Sequence, residues 1–347
     1  MIEIGHRKIG SGEPALIVAE ISGNHLHKFD LAVKTIHAMK EAGADAVKLQ
    51  TFTADTITLD ANTKYFQIKD TIWAGQNMHK LFAEVSMPWD WQPKLKKVAE
   101  DLGMMLFSTP FDFSSVDFLA EMGVPCYKVA SPEIVDLPLI EHIASKNKPV
   151  ILATGVAALA DIRAAVNACH NVGNHQIIIL KCTSAYPTPW DEVNLQTMVD
   201  IKKKFKTVVG ISDHTPGSVV PISAVALGAS MIEKHFILDR HLGGPDSSFS
   251  LEPNEFKKMV DEIRQAEKAL GHVNYQLTPG MKIERKQGRS LFVVADIKKG
   301  EIFTTDNVRS IRPGDGLPPK FIGEVLGKKA KSDIKKGNPL TWKQIIK

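Results

Sequence analysis

Val208-Val-Gly-Ile-Ser-Asp-His-Thr-Pro-Gly-Ser-Val-Val-Pro-Ile-Ser-Ala-Val-Ala-Leu-Gly-Ala-Ser-Met-Ile-Glu-Lys-His-Phe236 reads as strand, helix, strand. Two short apolar runs, 208–212 and 231–235, flank a segment at 218–227 with helical periodicity. Each run delivers a histidine at its end, His214 and His235. If the runs are neighbouring parallel strands, both imidazoles emerge on one edge of a sheet. That is the edge where α/β barrels keep their chemistry and where two neutral imidazoles can share a divalent cation.

The same unit recurs outward from this stretch. Apolar, β-branched runs stand at 15–20, 46–50, 105–109, 127–131, 150–154 and 177–181, which with the two above makes eight. Helical periodicity fills the intervals, for instance at 31–42 and 159–172. Eight βα units imply a parallel sheet that most simply closes into a (β/α)8 TIM barrel. The 347 residues exceed the roughly 250 of one barrel, so a barrel over 1–271 leaves material for a second domain. A last barrel helix at 254–270 stops at Gly271. A polar linker at 272–288, with Gly280, Arg285 and Gly288, leads into a small, mostly β domain at 289–347. There Asp296-Ile-Lys-Lys-Gly300 returns as Asp333-Ile-Lys-Lys-Gly337, a sign of two similar strand-turn units. The segment at 53–91 carries Trp73, Trp89 and Trp91 and is longer than a βα loop needs. It reads equally as a substrate lid and as a local hydrophobic staple.

Composition narrows the setting. A net charge of +4, from 43 basic and 39 acidic residues, is too mild for a nucleic-acid partner but suits a phosphorylated or carboxylated small substrate. Cys126, Cys169 and Cys182 have no CxxC spacing and are odd in number, which points to a reducing, cytoplasmic location. No run approaches the ~20 apolar residues of a membrane span. Gly-rich phosphate loops, His-Glu-x-x-His and Gly-x-Ser-x-Gly do not occur, so the usual nucleotide, zinc-peptidase and serine-hydrolase readings lose their support.

The strand ends are polar instead. Lys48 and Lys128 close different strands, and burying two ammonium groups is expensive unless each meets a counter-charge. An anionic substrate would satisfy both; so would internal salt bridges to Glu20 and Glu133. Hydroxyls at Thr109, Ser131, Thr154, Ser184 and Ser212 would add neutral donors, although such groups also cap helices. Glu20 and Glu133 are the candidates for moving protons. Glu233, two residues before His235, shares its face of a regular strand and is a candidate partner of that ring. Cys182 reads as a core thiol.

Several of these motifs together resemble the sialic acid synthase family over essentially the full length. They are Ala19-Glu-Ile-Ser-Gly-Asn-His25, Lys48-Leu-Gln-Thr51, Ser108-Thr-Pro-Phe111, Lys128-Val-Ala-Ser-Pro-Glu133, Lys181-Cys-Thr-Ser-Ala-Tyr-Pro-Thr-Pro189, Gly210-Ile-Ser-Asp-His-Thr215 and Glu233-Lys-His-Phe236. Ile311-Arg-Pro-Gly-Asp-Gly316 resembles the family's antifreeze-like (SAF) domain. The resemblance implies condensation of phosphoenolpyruvate with a 2-acetamido sugar aldehyde, helped by a divalent metal (Mn2+, Co2+ or Mg2+). By Lys181-Cys-Thr-Ser-Ala-Tyr186 and Gly244-Pro-Asp-Ser-Ser-Phe-Ser250 the chain looks most like the family's pseudaminic acid synthases. The family's N-acetylneuraminate enzymes usually differ at the positions of Ser184 and Ser247.

Carried over by motif, His214 and His235 would hold the metal, and Lys48, Gln50, Thr109, Lys128, Ser131, Ser184 and Ser212 would surround phosphoenolpyruvate. Glu20 and Glu133, with Lys48, would serve catalysis; Tyr186, Asp246 and Arg312 would contact the sugar, Arg312 being inserted into the partner's barrel in a domain-swapped homodimer. The rival readings are an N-acetylneuraminate or legionaminate synthase with the same chemistry, and, from another class, a non-catalytic carbohydrate-binding protein.

Overall fold

A computed structural model of the protein describes residues 1–69 and 71–346. Asp70, inside the insertion at 53–91, and Lys347, the end of the second domain, lie outside the described residues. The chain divides into two compact units, Met1–Gly271 and His272–Lys347.

The first unit is a closed TIM barrel built from the eight runs anticipated above. Its strands are β3 (Leu16–Glu20), β4 (Ala46–Thr51), β5 (Met105–Pro110), β6 (Tyr127–Val129), β7 (Val150–Ala153), β8 (Ile177–Cys182), β9 (Val208–Asp213) and β10 (Met231–His235). All pair in parallel with their sequence neighbours, and β10 closes on β3. The run at 127–131 ends early at Val129, because Pro132 opens a 3-10 turn, Pro132–Val135.

Period-two alternation then sorts every strand into two faces. Ile17, Ala19, Val47, Leu49, Val209, Ile211 and Ile232 pack outward under the helices. Leu16, Val18, Ala46, Phe107, Cys126, Ile151, Ile178, Leu180, Val208 and Met231 fill the lumen. Burial on both faces is why the strands read as apolar runs rather than alternating ones. The last helix, Pro253–Leu270, starts on Pro253 with a Glu252–Glu255 capping box. It buries Phe256, Met259, Val260 and Ile263 at helical spacing, and ends at Gly271 with φ +50°.

The N-terminal hairpin escaped the sequence. β1 (Ile2–Ile4) and β2 (Arg7–Ile9) form an antiparallel hairpin whose Ile4 and Ile9 join the lumen cluster at the strand starts. It plugs the N-terminal end of the barrel.

The insertion packs against the barrel at two places. Trp89 packs on Phe118 at 4.9 Å between ring centroids and Trp91 on Phe29 at 5.5 Å, as local staples. Trp73 instead reaches the barrel mouth: its indole N–H donates to Pro245 O at 3.0 Å and its ring lies 5.6 Å from that of Tyr186. Helix Met78–Val85 is tethered to the loop after β3, with His25 Nε2 3.3 Å from Val85 O and His27 Nε2 3.2 Å from Ala83 O.

The second unit carries a short helix, Pro279–Lys286, inside the stretch read as a linker. β11 (Ser290–Val293) and β12 (Val308–Ile311) pair antiparallel over a core of Leu291, Val293, Ile297, Phe303, Val308 and Ile334. The two pentapeptides clasp each other reciprocally. Asp296 accepts from Lys335 Nζ and Lys336 N, both at 2.8 Å, while Asp333 accepts from Lys298 Nζ at 3.1 Å and Lys299 N at 2.8 Å. Ile297 and Ile334 form an antiparallel bridge between them. Among the described residues, no helix is long and apolar enough to cross a membrane.

Candidate active site

Alternation places the chemistry. Counting inward positions forward from the lumen cluster gives Glu20 on β3, Lys48 and Gln50 on β4, Thr109 on β5, Lys128 on β6 and Cys182 on β8. It gives Ser212 and His214 on and just past β9, and Glu233 and His235 on β10. The opposite parity sends Ser108, Lys181, Asp213 and Lys234 behind the barrel wall. Ser108 there shares a 2.6 Å contact with Thr51, and Lys181 donates to Cys182 O at 3.0 Å.

The inward charges form one buried cluster. Lys128 Nζ donates to Glu233 Oε1 and Oε2 at 2.9 and 3.2 Å, and Lys48 Nζ lies 3.7 Å from that same Oε1. Lys48 also pairs with Glu20 and donates to Thr109 Oγ1 at 3.3 Å. Ser212 Oγ donates to Glu233 at 3.0 Å. The internal partner of Lys128 is therefore Glu233, not Glu133. Glu133 sits one turn beyond β6, half-buried, and its Oε2 is buried without a partner.

The carboxyls are tuned apart. Burial pushes Glu233 up, but Lys128 and Lys48 outweigh it and hold this acid at about 2. Glu20 is raised, because burial outweighs Lys48. Burial also lifts Glu133 to about 7, a backbone hydrogen bond opposes it, and the charge of Asp136 adds to the rise. Lys48 is held above its ordinary value: burial lowers it, and Glu20 and Glu233 more than compensate.

Above this cluster stand the two imidazoles, with ring centroids 5.2 Å apart. Tyr186 lies 4.4 Å from the His214 ring, and Phe249 lies 5.0 Å from both Tyr186 and His235. Asp246 accepts from Ser22 Oγ and from Gly23 N at 3.3 Å, and Gln50 Nε2 donates to Ser22 Oγ at 3.2 Å. On the β7 side, Ser131 Oγ accepts from Gly155 N at 3.0 Å. A Cβ on Gly155 would collide with both Ser131 Oγ and Ser184 Oγ, so only glycine lets the two serines converge. Thr154 spends its hydroxyl on Leu180 O at 3.1 Å. Arg312 is exposed, one residue past β12 in the second unit.

Chemical donors suited to a metal are present in the histidine pair. His214 Nδ1 lies 2.9 Å from Thr183 O; a carbonyl only accepts, so Nδ1 carries the proton and the other nitrogen keeps a lone pair when the ring is neutral. His235 Nδ1 is buried with no partner. Burial first, then His214 and three lysines, hold His235 well below its ordinary value and keep it neutral. His214 is raised, because the Cys182 thiol and the Thr183 carbonyl outweigh burial. Two nitrogens alone leave most coordination positions to water or substrate, and no group of three or more His, Cys, Asp or Glu converges as a ligand set among the described residues.

Sequence reasoning missed Gly155, the role of Glu233 as hub of both lysines, and the aromatic wall of Trp73, Tyr186 and Phe249. The parity of Glu233 with Lys128 and Lys48 was the available signal for the second. The aromatic wall comes from three separate loops and left no local signal.

Residues 35–275 match the NeuB family and residues 288–346 the SAF domain. The chain is 44% identical over 330 residues to the pseudaminic acid synthase of Helicobacter pylori, covering 95% of this chain and 97% of that one. It is 40% identical to the N,N'-diacetyllegionaminic acid synthase of Campylobacter jejuni, with 92% and 97% covered. A solved N-acetylneuraminic acid synthetase from Leptospira borgpetersenii superposes with a TM-score of 0.72 at 32% identity, covering 82% of this chain and 94% of the other. With a matching catalytic domain, a matching C-terminal domain and near-complete coverage, this chain belongs to the NeuB family.

Proposed function

We propose that the protein is a transferase that condenses phosphoenolpyruvate with 2,4-diacetamido-2,4,6-trideoxy-altrose and water, giving pseudaminic acid and phosphate. The observation that carries this reading is the stacking of a two-lysine, two-carboxylate cluster directly beneath a pair of imidazoles. The H. pylori relative supports the choice of sugar.

Lys48 and Lys128 supply the positive charge for the phosphate and carboxylate of phosphoenolpyruvate, with Gln50, Thr109, Ser131, Ser184 and Ser212 as neutral partners. Ser184 Oγ, buried and unpartnered, is free for that task. His214 and His235 would hold a divalent cation, Mn2+, Co2+ or Mg2+, which supplies Lewis-acid polarisation of a carbonyl oxygen when bound. C3 of phosphoenolpyruvate attacks the aldehyde carbon, whose oxygen takes up a proton to become a hydroxyl; water adds at the cationic C2, and phosphate leaves with its C–O oxygen and the proton of the C2 hydroxyl, forming the 2-keto acid. Tyr186 and Asp246 orient the sugar. Glu20, fixed on Lys48, faces the charge that develops at C2; Glu133, with a free oxygen, takes the proton of the attacking water. The reading also carries a homodimer in which Arg312 serves the partner's barrel, and a cytoplasmic setting that agrees with three buried free thiols.

The sugar is tested by assaying phosphate release with the altrose derivative, its legionaminate-pathway isomer and N-acetylmannosamine. A pocket walled by Trp73, Tyr186 and Phe249 suits a 6-deoxy sugar with two acetamido groups, so kcat/KM is expected to favour the first by at least tenfold. Preference for the legionaminate isomer, the reading that the C. jejuni relative favours, would replace the substrate and keep the chemistry.

A second expectation concerns pH. A base whose carboxyl sits near 7 is protonated and idle below that pH. The kcat/KM profile should therefore rise through about pH 7, and Glu133→Gln should flatten that limb while lowering the plateau. For stability the sign is opposite. The raised pKa means that ionising this buried carboxyl disfavours the folded state, so its contribution is lost as pH climbs from the ordinary carboxylate range through 7. An unchanged acid limb in Glu133→Gln would move the base elsewhere.

A further inference from the structure

The strand parity that points His214 and His235 inward points their neighbours, Asp213 and Lys234, outward into the dry layer between barrel and helices. Asp213 is 4% exposed and Lys234 1%. They are register partners across β9 and β10. Lys234 Nζ donates to Asp213 Oδ2 and to Thr215 O, both at 2.5 Å. Asp213 Oδ1 accepts from Thr215 N at 3.0 Å and from Thr215 Oγ1 at 2.9 Å. Both residues flanking His214 are thus tied to the residue that precedes His235.

A buried ion pair is an uneconomical way to stabilise a barrel wall, since apolar residues of the same volume do as well or better. What it offers is directional: a fixed separation and twist between two strand ends. We propose that Asp213, Lys234 and Thr215 form a positioning clasp for the two imidazoles. The clasp sets the spacing and rotation of the β9 and β10 ends, so that both ring nitrogens meet one cation. It rests on the two-histidine metal reading and adds to it residues that touch neither cation nor substrate.

The test measures Mn2+ binding directly, by electron paramagnetic resonance of free Mn2+ on the intact protein, together with thermal unfolding. Asp213→Asn and the neutral double variant Asp213→Asn/Lys234→Met are compared with the parent, and His214→Ala serves as control. Both clasp variants are expected to weaken Mn2+ ten- to a hundredfold, the usual effect of removing a group that orients a ligand. At saturating Mn2+, kcat should return to within a few-fold of the parent. The double variant, with no buried charge left unpaired, keeps the experiment readable if Asp213→Asn unfolds. A lowered melting temperature with Mn2+ affinity unchanged within twofold in the folded double variant would make the clasp purely structural and overturn the proposal. If instead His214→Ala retains parental Mn2+ affinity, the metal reading itself fails, and the clasp proposal with it. Loss of Mn2+ in His214→Ala alone removes only the clasp.

Discussion

His214→Ala is expected to lower phosphate release by about a thousandfold or more while the barrel stays folded. Polarising the aldehyde oxygen is worth several kcal/mol in the transition state, and each ~1.4 kcal/mol is tenfold in rate. The ring is buried above the lumen cluster against Tyr186 and Phe249, and its hydrogen bond goes to the Thr183 carbonyl, so its loss removes no contact to Lys48, Lys128, Glu20 or Glu233. A site with two protein nitrogens also holds its cation loosely, and chelation should abolish activity reversibly, with recovery on adding back Mn2+. Phosphate release measured with and without chelator checks both. Full turnover under chelation would mean that the pair holds no catalytic metal.

Glu233→Ala should be the most disruptive single change in the lumen. Its carboxylate sits 2.9 Å from one ammonium and 3.7 Å from another and accepts a third bond from Ser212. Removing it leaves Lys128 without its counter-ion, a loss on the order of 3–5 kcal/mol. For a unit of this size that lowers the melting temperature by roughly 10 °C. Activity should fall by about a hundredfold or more, because Lys128 loses the anchor that aims it and Lys48 keeps only Glu20 and Thr109. Glu233→Gln keeps an acceptor for Ser212 but removes the charge, so it should recover part of the packing and little of the activity. Calorimetry and the phosphate assay separate these effects. Wild-type activity in Glu233→Gln would show that shape alone aims the lysines.

The barrel was legible because its strands are buried on both faces and so appear as unbroken apolar runs at βα spacing. The N-terminal hairpin was not, since two three-residue strands carrying Glu3, Arg7 and Lys8 have no periodic signal. At the site, residue types at strand ends were readable, but their pairing was not. Lys128 finds Glu233 across 105 positions, and Ser22 finds Asp246 across 224, distances at which only closure of the barrel decides who meets whom. Period two is the part of that information a sequence does contain. It separates Glu233 and His235 from Lys234, and Ser212 and His214 from Asp213, once one inward residue is known.

The reciprocal grip of Asp296 on Lys335 and Lys336, and of Asp333 on Lys298 and Lys299, has the form of an isologous contact, in which each of two equal parts offers the other the same surface. Such self-complementarity ordinarily joins separate copies of a molecule. Here the two equal parts are stretches of one polypeptide, the pentapeptides at 296–300 and 333–337. The C-terminal unit thus carries a local two-fold relation within a single chain, its axis running between Ile297 and Ile334, so that a change at one pentapeptide removes a contact from both halves.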